Sequence, residues 1–135
     1  MIWAALRWVP LMFLIAPVME APLVAHLSQP IKPIKTWSGN ASWYGPGFNG
    51  RKTANGETFS TEALTAAHPN LPFGSLVRVV NPRNGSFELV RINDRGPYQE
   101  GREIDVSYRV ARKLGLIHAG VSQVRLELMG LPEKH

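Results

Sequence analysis

The hydrophobic pattern changes character twice along the chain. From Met1 to Val24 nearly every position is apolar, broken by Arg7 and Glu20, with an uninterrupted apolar centre from Val9 to Met19. Pro10, Pro17 and Pro22 would break a buried core helix, and the run is short for a bilayer span of about 20 residues. Arg7 provides a thin positive n-region, and Leu23-Val24-Ala25 offers a small residue for cleavage. Residues 1–25 therefore read as a signal peptide or, if retained, a signal anchor. Residues 26–38 follow with Pro30, Pro33 and lysines but no helical or strand period, and read as an extended linker.

Beyond residue 39, short apolar segments alternate with Gly, Pro and Asn, the pattern of an all-β barrel or sandwich rather than a βαβ sheet. Strands are expected at Ala41–Tyr44, Leu64–Ala67, Leu76–Val80, Phe87–Asn93, Ile104–Val106 and Val121–Met129. Asn81-Pro82-Arg83-Asn84-Gly85 is a hairpin signal, because Asn-Gly tolerates the positive φ angles of tight reversals. Ser107 should cap one helix, Tyr108–Leu114, which Gly115 stops. The folded domain is expected over residues 39–130, with 131–135 as a tail.

Composition adds limits. The 135 residues, 44% of them hydrophobic, suit one core. Fifteen Lys and Arg against ten Asp and Glu give +5, and loss of residues 1–25 removes one Arg and one Glu, so the folded part keeps that charge. Such a balance suits an anionic polymer or a membrane surface. There is no cysteine, which excludes disulfides, thiolate metal sites, thiol nucleophiles and a lipidated N-terminal Cys.

Chemistry concentrates in two turn-rich runs, Thr53-Ala54-Asn55-Gly56-Glu57 with Ala66-Ala67-His68 after it, and Asn93-Asp94-Arg95-Gly96-Pro97. They bring two carboxylates and an imidazole to sharply bent backbone, where a cleft is more natural than a core. Plain structural readings stand beside each. Asp94 could cap a turn, Glu57 could be a solvated hairpin residue, and His68 could be a core histidine bonded to backbone. Asp105, between Ile104 and Val106, points to the opposite face of its strand and reads as a brace. Trp43 and Tyr44 are candidate sugar-stacking platforms or core aromatics. No close ligand spacing supports a metal site at Glu57, His68 and Asp94, and nothing calls for a cofactor.

These runs, together with Ala41-Ser42-Trp43-Tyr44-Gly45, Leu71-Pro72-Phe73-Gly74, Val79-Val80-Asn81, Gly101-Arg102-Glu103-Ile104-Asp105-Val106-Ser107 and Leu114-Gly115, resemble the rare lipoprotein A family through nearly all of residues 41–130. The resemblance implies a six-stranded double-psi β-barrel and an endolytic transglycosylase that cuts peptide-free peptidoglycan glycan strands, leaving 1,6-anhydro ends. It implies Asp94 as principal acid/base, Glu57 as a second catalytic group and His68 as an orienting partner. Thr53, Asn55, Arg95, Trp43 and Tyr44 are then the expected substrate contacts. The implied partner is peptidoglycan rather than nucleic acid, with a membrane contact only if the N-terminal segment is retained. The protein would be a monomer, exported to the periplasm or cell envelope. Two departures from the family follow: without a Cys there is no lipid anchor, and no glycan-binding repeat domain follows Met129. An expansin-like module that loosens polysaccharide without cutting it shares the fold and is the alternative. A secreted interaction or inhibitor protein on the same barrel would need neither carboxylate on a groove.

Overall fold

The computed structural model describes Pro10 and residues 31–134. Apart from Pro10, the expected signal segment and the start of the linker lie outside the described residues. Six strands and one helix follow in order: β1 (Lys35–Trp43), β2 (Thr65–Ala67), β3 (Leu76–Val80), β4 (Phe87–Asp94), β5 (Ile104–Val106), α1 (Tyr108–Leu114) and β6 (Ser122–Gly130). The strands close on themselves in the order β1-β5-β2-β4-β3-β6. Closure leaves no sheet edge between neighbours. Two of the pairings, β1 with β5 and β2 with β4, are parallel, and the others are antiparallel. The fold is a double-psi β-barrel.

Inside, alternate positions of the strands meet. Ala66, Val77, Val79, Val90, Ile92, Ile104, Val106, Val124 and Leu126 form one buried cluster with Val110, Ala111 and Leu114 of α1. The side-chain period of two makes this possible, because each strand offers every second residue to the interior. Helix α1 is held at both ends. Ser107 Oγ accepts from Val110 N–H and donates to the Ala63 carbonyl, 2.5 Å away. At the other end Gly115 takes the left-handed conformation, φ 72°. The amides of Asn81 and Asn84 both donate to the Leu114 carbonyl, at 2.8 and 3.1 Å. The hairpin turn expected at residues 81–85 therefore also satisfies the end of the helix.

The first strand starts earlier than expected. Lys35 to Ser38, assigned from sequence to the linker, pair with Leu128 to Arg125 of β6, and Ile34 N–H already bonds to the Leu128 carbonyl at 2.7 Å. The cause is β6, whose length offers partners to a polar segment with no period of its own. The ordered domain begins accordingly before residue 39.

The core is tightly filled, so truncation within it leaves a void. Leu126→Ala, in a fully buried position of β6, should lower the unfolding free energy by about 2–5 kcal/mol in a urea titration. Ser107→Ala, which removes the helix cap and the bond to the Ala63 carbonyl, should lower it by about 1–3 kcal/mol.

Candidate active site

One irregularity in the barrel, in the β2–β4 pairing, sets the site. Along β4, Val90 and Ile92 face the core, and unbroken alternation would send Asp94 there too. Instead the β2–β4 register shifts: Ala66 lies opposite Ile92, but Ala67 lies opposite Asp94. The extra residue, Asn93, is a bulge that turns Asp94 to the outer face. Ala67 is also opposite Asp105 of β5, and Asp105 is opposite Ser42 of β1. A lateral row thus runs Ser42, Asp105, Ala67, Asp94 across four neighbouring strands, with a carboxylate on either side of an alanine. Sequence alternation placed Asp105 on the face away from Ile104 and Val106. That face is the one that carries Asp94.

The two turn-rich runs meet here. Asp94 Oδ1 accepts from the backbone N–H of Ala54 at 2.8 Å and of Arg95 at 2.9 Å, and Oδ2 accepts from the Tyr44 hydroxyl at 2.7 Å. Burial, then the hydrogen bond to Asp94 and the negative charges of Asp94 and Asp105, push the Tyr44 phenol up, so it stays a donor. Asp105 accepts from Ser42 Oγ, and Arg102 Nη2 stands 3.6 Å from its Oδ1.

Glu57 is held elsewhere. Its carboxylate accepts two bonds from Arg91, at 2.5 and 2.8 Å, one from Asn55 at 2.9 Å and one from Asn93 at 3.2 Å. The Arg91 bonds first, then that of Asn55, hold its pKa at about 2 against an ordinary 4.5. Thr53 donates to Asn55 Oδ1 at 2.7 Å, and Asn55 N–H reaches the Asn93 carbonyl at 3.3 Å. Thr53, Asn55 and Glu57 together pin the turn to the bulge.

His68 is buried against a different wall. Its Nδ1 accepts from the N–H groups of Asn70 and Leu71, at 3.3 and 3.1 Å, so the proton sits on Nε2. Nε2 is 3.7 Å from Glu103 Oε1, and Glu103 also accepts from the Trp37 indole. Burial, outweighing the pull of Glu103, lowers the imidazole pKa. Gly39 makes room for this cluster, since a Cβ there would stand 2.2 Å from Glu103 Oε2. Arg95 closes the back of the site. It lies over the Phe73 ring at 3.9 Å and donates to the carbonyls of His68 and Leu71, at 3.2 and 2.8 Å.

Three cavities lie along this face. The central one, about 570 Å³, is lined by Asp94, Asp105, Arg95, Trp43, Tyr44 and Arg102, with Phe48 and the exposed Tyr98 at its rim. Arg102 also lines a second, about 530 Å³, with Trp37, Lys35, His68 and Glu103. Trp43 and Tyr44 also line a third, about 400 Å³, with Pro46, Thr61, Glu62 and Tyr108. Of the residues singled out in the sequence, Asp94, Arg95, Trp43 and Tyr44 share the central cavity and His68 borders the neighbouring one. Thr53, Asn55 and Glu57 line none of the three. Asp105, Arg102, Glu103 and Trp37 are the residues that sequence reasoning did not credit with a place at the site. The run Gly101 to Ser107 and the alternation about Asp105 were the signal for the first three, and Trp37 lay in the expected linker. Among the described residues no group of His, Asp and Glu is placed to hold a metal ion. Nor is any described helix long and apolar enough to cross a membrane.

A family model described as "Lytic transglycolase" matches residues 36–126. The chain is 58% identical over 99 residues to the "Probable endolytic peptidoglycan transglycosylase RlpA" of Synechocystis sp., covering 73% of this chain and 30% of that protein. It is 50% identical over 94 residues to the "Endolytic peptidoglycan transglycosylase RlpA" of Vibrio cholerae, covering 70% and 36%. The chain thus spans about a third of the length of these relatives. Among solved structures, the Streptomyces papain inhibitor superposes with a TM-score of 0.59 at 21% identity, covering 75% of this chain and 100% of that one. The apo expansin of Clavibacter michiganensis superposes with 0.56 at 21%, covering 74% and 53%. At these identities the likeness is one of fold alone.

The depressed pKa of Glu57 has a signed consequence. A carboxylate whose folded pKa lies below its unfolded value contributes stability that is complete above the unfolded value, near 4.5, and disappears as pH falls through about 2. Both partners of the ion pair are about two-fifths exposed, so screening limits the contribution to at most about 1 kcal/mol. The melting temperature of Glu57→Gln should lie below that of the wild type at pH 7, with the gap closing steadily from pH 5 to pH 2.

Proposed function

Since the chain belongs to the RlpA-like family of double-psi β-barrel lytic transglycosylases, we propose that this domain cuts peptidoglycan glycan strands endolytically, between N-acetylmuramic acid and N-acetylglucosamine. The observation that carries this reading is the central cavity, lined by both Asp94 and Asp105, which meets one further cavity at Arg102 and another at Trp43 and Tyr44. A linear polymer needs a groove that continues past the bond to be broken in both directions.

Asp94 is the proposed acid/base. In the bond-breaking step its carboxyl gives a proton to the glycosidic oxygen as the bond from C1 of the muramic sugar to that oxygen breaks. The oxygen leaves as the 4-hydroxyl of the departing glucosamine. In the closing step the carboxylate takes the proton of the muramic 6-hydroxyl while that oxygen bonds to C1, so a 1,6-anhydro ring forms and no water is consumed. The Tyr44 hydroxyl and the backbone N–H groups of Ala54 and Arg95 fix the carboxyl in place. Asp105, across Ala67, supplies negative charge toward the oxocarbenium-like transition state. Trp43 and Tyr44 offer the walls against which sugar rings lie.

Glu57 and His68 serve this chemistry as positioning residues. Glu57 binds Asn93, the bulge residue, and the 53–57 turn whose Ala54 N–H reaches Asp94. The backbone N–H of His68 donates to the Asp94 carbonyl at 3.2 Å, and its imidazole holds the Asn70 and Leu71 N–H groups of the loop that follows. Arg95, Thr53 and Asn55 complete the same frame. The reading takes the domain to act as a monomer. Its substrate lies outside the cytoplasmic membrane, in keeping with an export signal in residues 1–25.

The test is digestion of purified peptide-free glycan strands, with products read by mass spectrometry. Wild type should release 1,6-anhydro ends, and Asp94→Asn should slow release by about 10²-fold or more while keeping the wild-type circular dichroism. Folded wild type that releases no anhydro ends would overturn the proposal, as would reducing ends in their place. Tyr44→Phe, which removes one of the three bonds to Asp94, should slow turnover by about tenfold with KM little changed.

A further inference from the structure

Beside the central cavity, the one bounded by Trp37, Lys35, Glu103 and Arg102 has a chemistry of its own. Resting on the glycan-cleaving reading above, we infer that this cavity is a subsite for an acidic sugar and that Arg102 binds the sugar's carboxylate.

Arg102 belongs to both cavities, standing where one opens toward the other. Its Nε is buried and has no hydrogen-bond partner among the described residues. Its Nη2 is 3.6 Å from Asp105, beyond a hydrogen bond. A guanidinium carries five N–H donors in a planar fork that matches a carboxylate with two parallel bonds. Nε lies out of a ligand's reach, but the Nη groups do not, on a side chain about 30% exposed, so an anion in the cavity would meet donors that no hydrogen bond among the described residues occupies.

The rest of the cavity suits a sugar that bears such a group. Trp37 presents an aromatic face, and Lys35 Nζ lies 4.9 Å from its centroid, adding a second cation. The cavity's own carboxylate, Glu103, accepts from the Trp37 indole and faces the Nε2–H of His68. With His68 neutral, Lys35 and Arg102 face Glu103 within this cavity, while Asp105, 3.6 Å from Arg102, lines the central one. The amides of Asn40 and Gln123 line the same space and suit hydroxyl and acetamido groups. In a peptidoglycan strand, the carboxylate borne by a sugar itself is the lactyl group of N-acetylmuramic acid. It is charged when no stem peptide is attached and is a neutral amide when one is. Arg102 therefore gives the groove a means to tell the two apart.

The test compares peptide-free strands carrying free lactyl carboxylates with the same strands after conversion of those carboxylates to carboxamides. For wild type, kcat/KM should fall about tenfold on the amidated strands, mostly through KM. For Arg102→Gln, the two substrates should be used equally, whatever the absolute rate. This ratio is insensitive to general damage near Asp105, which would slow both substrates alike. An Arg102→Gln enzyme that keeps the wild-type ratio, or a wild type indifferent to amidation, would overturn the assignment. Calorimetric binding of both strands to Asp94→Asn gives the same comparison without turnover, so a failed transglycosylase reading is told apart from a failed subsite. Peptide-bearing strands complete the set. They should bind no better than amidated ones, and tight binding that Arg102→Gln abolishes would place the recognised anion on the peptide and sink the lactyl assignment.

Discussion

Everything at the groove depends on one extra residue in one short strand. Without the bulge at Asn93, β4 would carry Asp94 into the same interior as Val90 and Ile92, where an ionised carboxylate without a partner is not tolerated. With it, the barrel keeps its apolar core up to Ile92 and hands the next side chain to the outside. The bulge needs its own support, because a residue outside the ladder leaves backbone groups to be satisfied. The 53–57 turn gives that support through Asn55 N–H to the Asn93 carbonyl and through Glu57 to the Asn93 amide. The ion pair with Arg91, two residues before the bulge, anchors the turn to the straight part of the same strand. The motif that stood out most in the sequence is thus the clamp of the motif that holds Asp94.

Local pattern made much of the fold legible. The helix Tyr108–Leu114, with its Ser107 and Gly115 ends, and the strands Leu76–Val80 and Ile104–Val106 fall where periodicity and capping residues place them. What sequence missed was non-local. Lys35–Ser38 is a strand only because β6 lies alongside, and nothing in four polar or aromatic residues announces a partner nearly 90 positions away. Asp105 shows the same limit at the site. Its alternation was readable, but whether the outward face of β5 met solvent or a groove depended on β1, β2 and β4 arriving beside it. For Glu57 the motif was visible and its company was not, since Arg91 lies 34 residues further on.

The charge distribution separates two kinds of basic residue. Arg91 and Arg95 are internal fasteners, the first on a carboxylate and the second on carbonyls and an aromatic face. Arg78 and Arg125 similarly share the buried Glu127 and lower its pKa against the effect of burial. The fifteen Lys and Arg therefore overstate the free cations that an approaching anionic polymer meets. The cations that remain at the groove are few, and position decides their effect more than number does.

Gly39 ties the conformation of one position to another. A Cβ at residue 39 would stand against the carboxylate of Glu103, so Glu103 would have to swing into another rotamer to admit it. That swing would take the acceptor away from the Trp37 indole and the negative charge away from His68 Nε2. One added methyl group on β1 is thereby felt as a rearrangement of the wall that Trp37, His68 and Glu103 share.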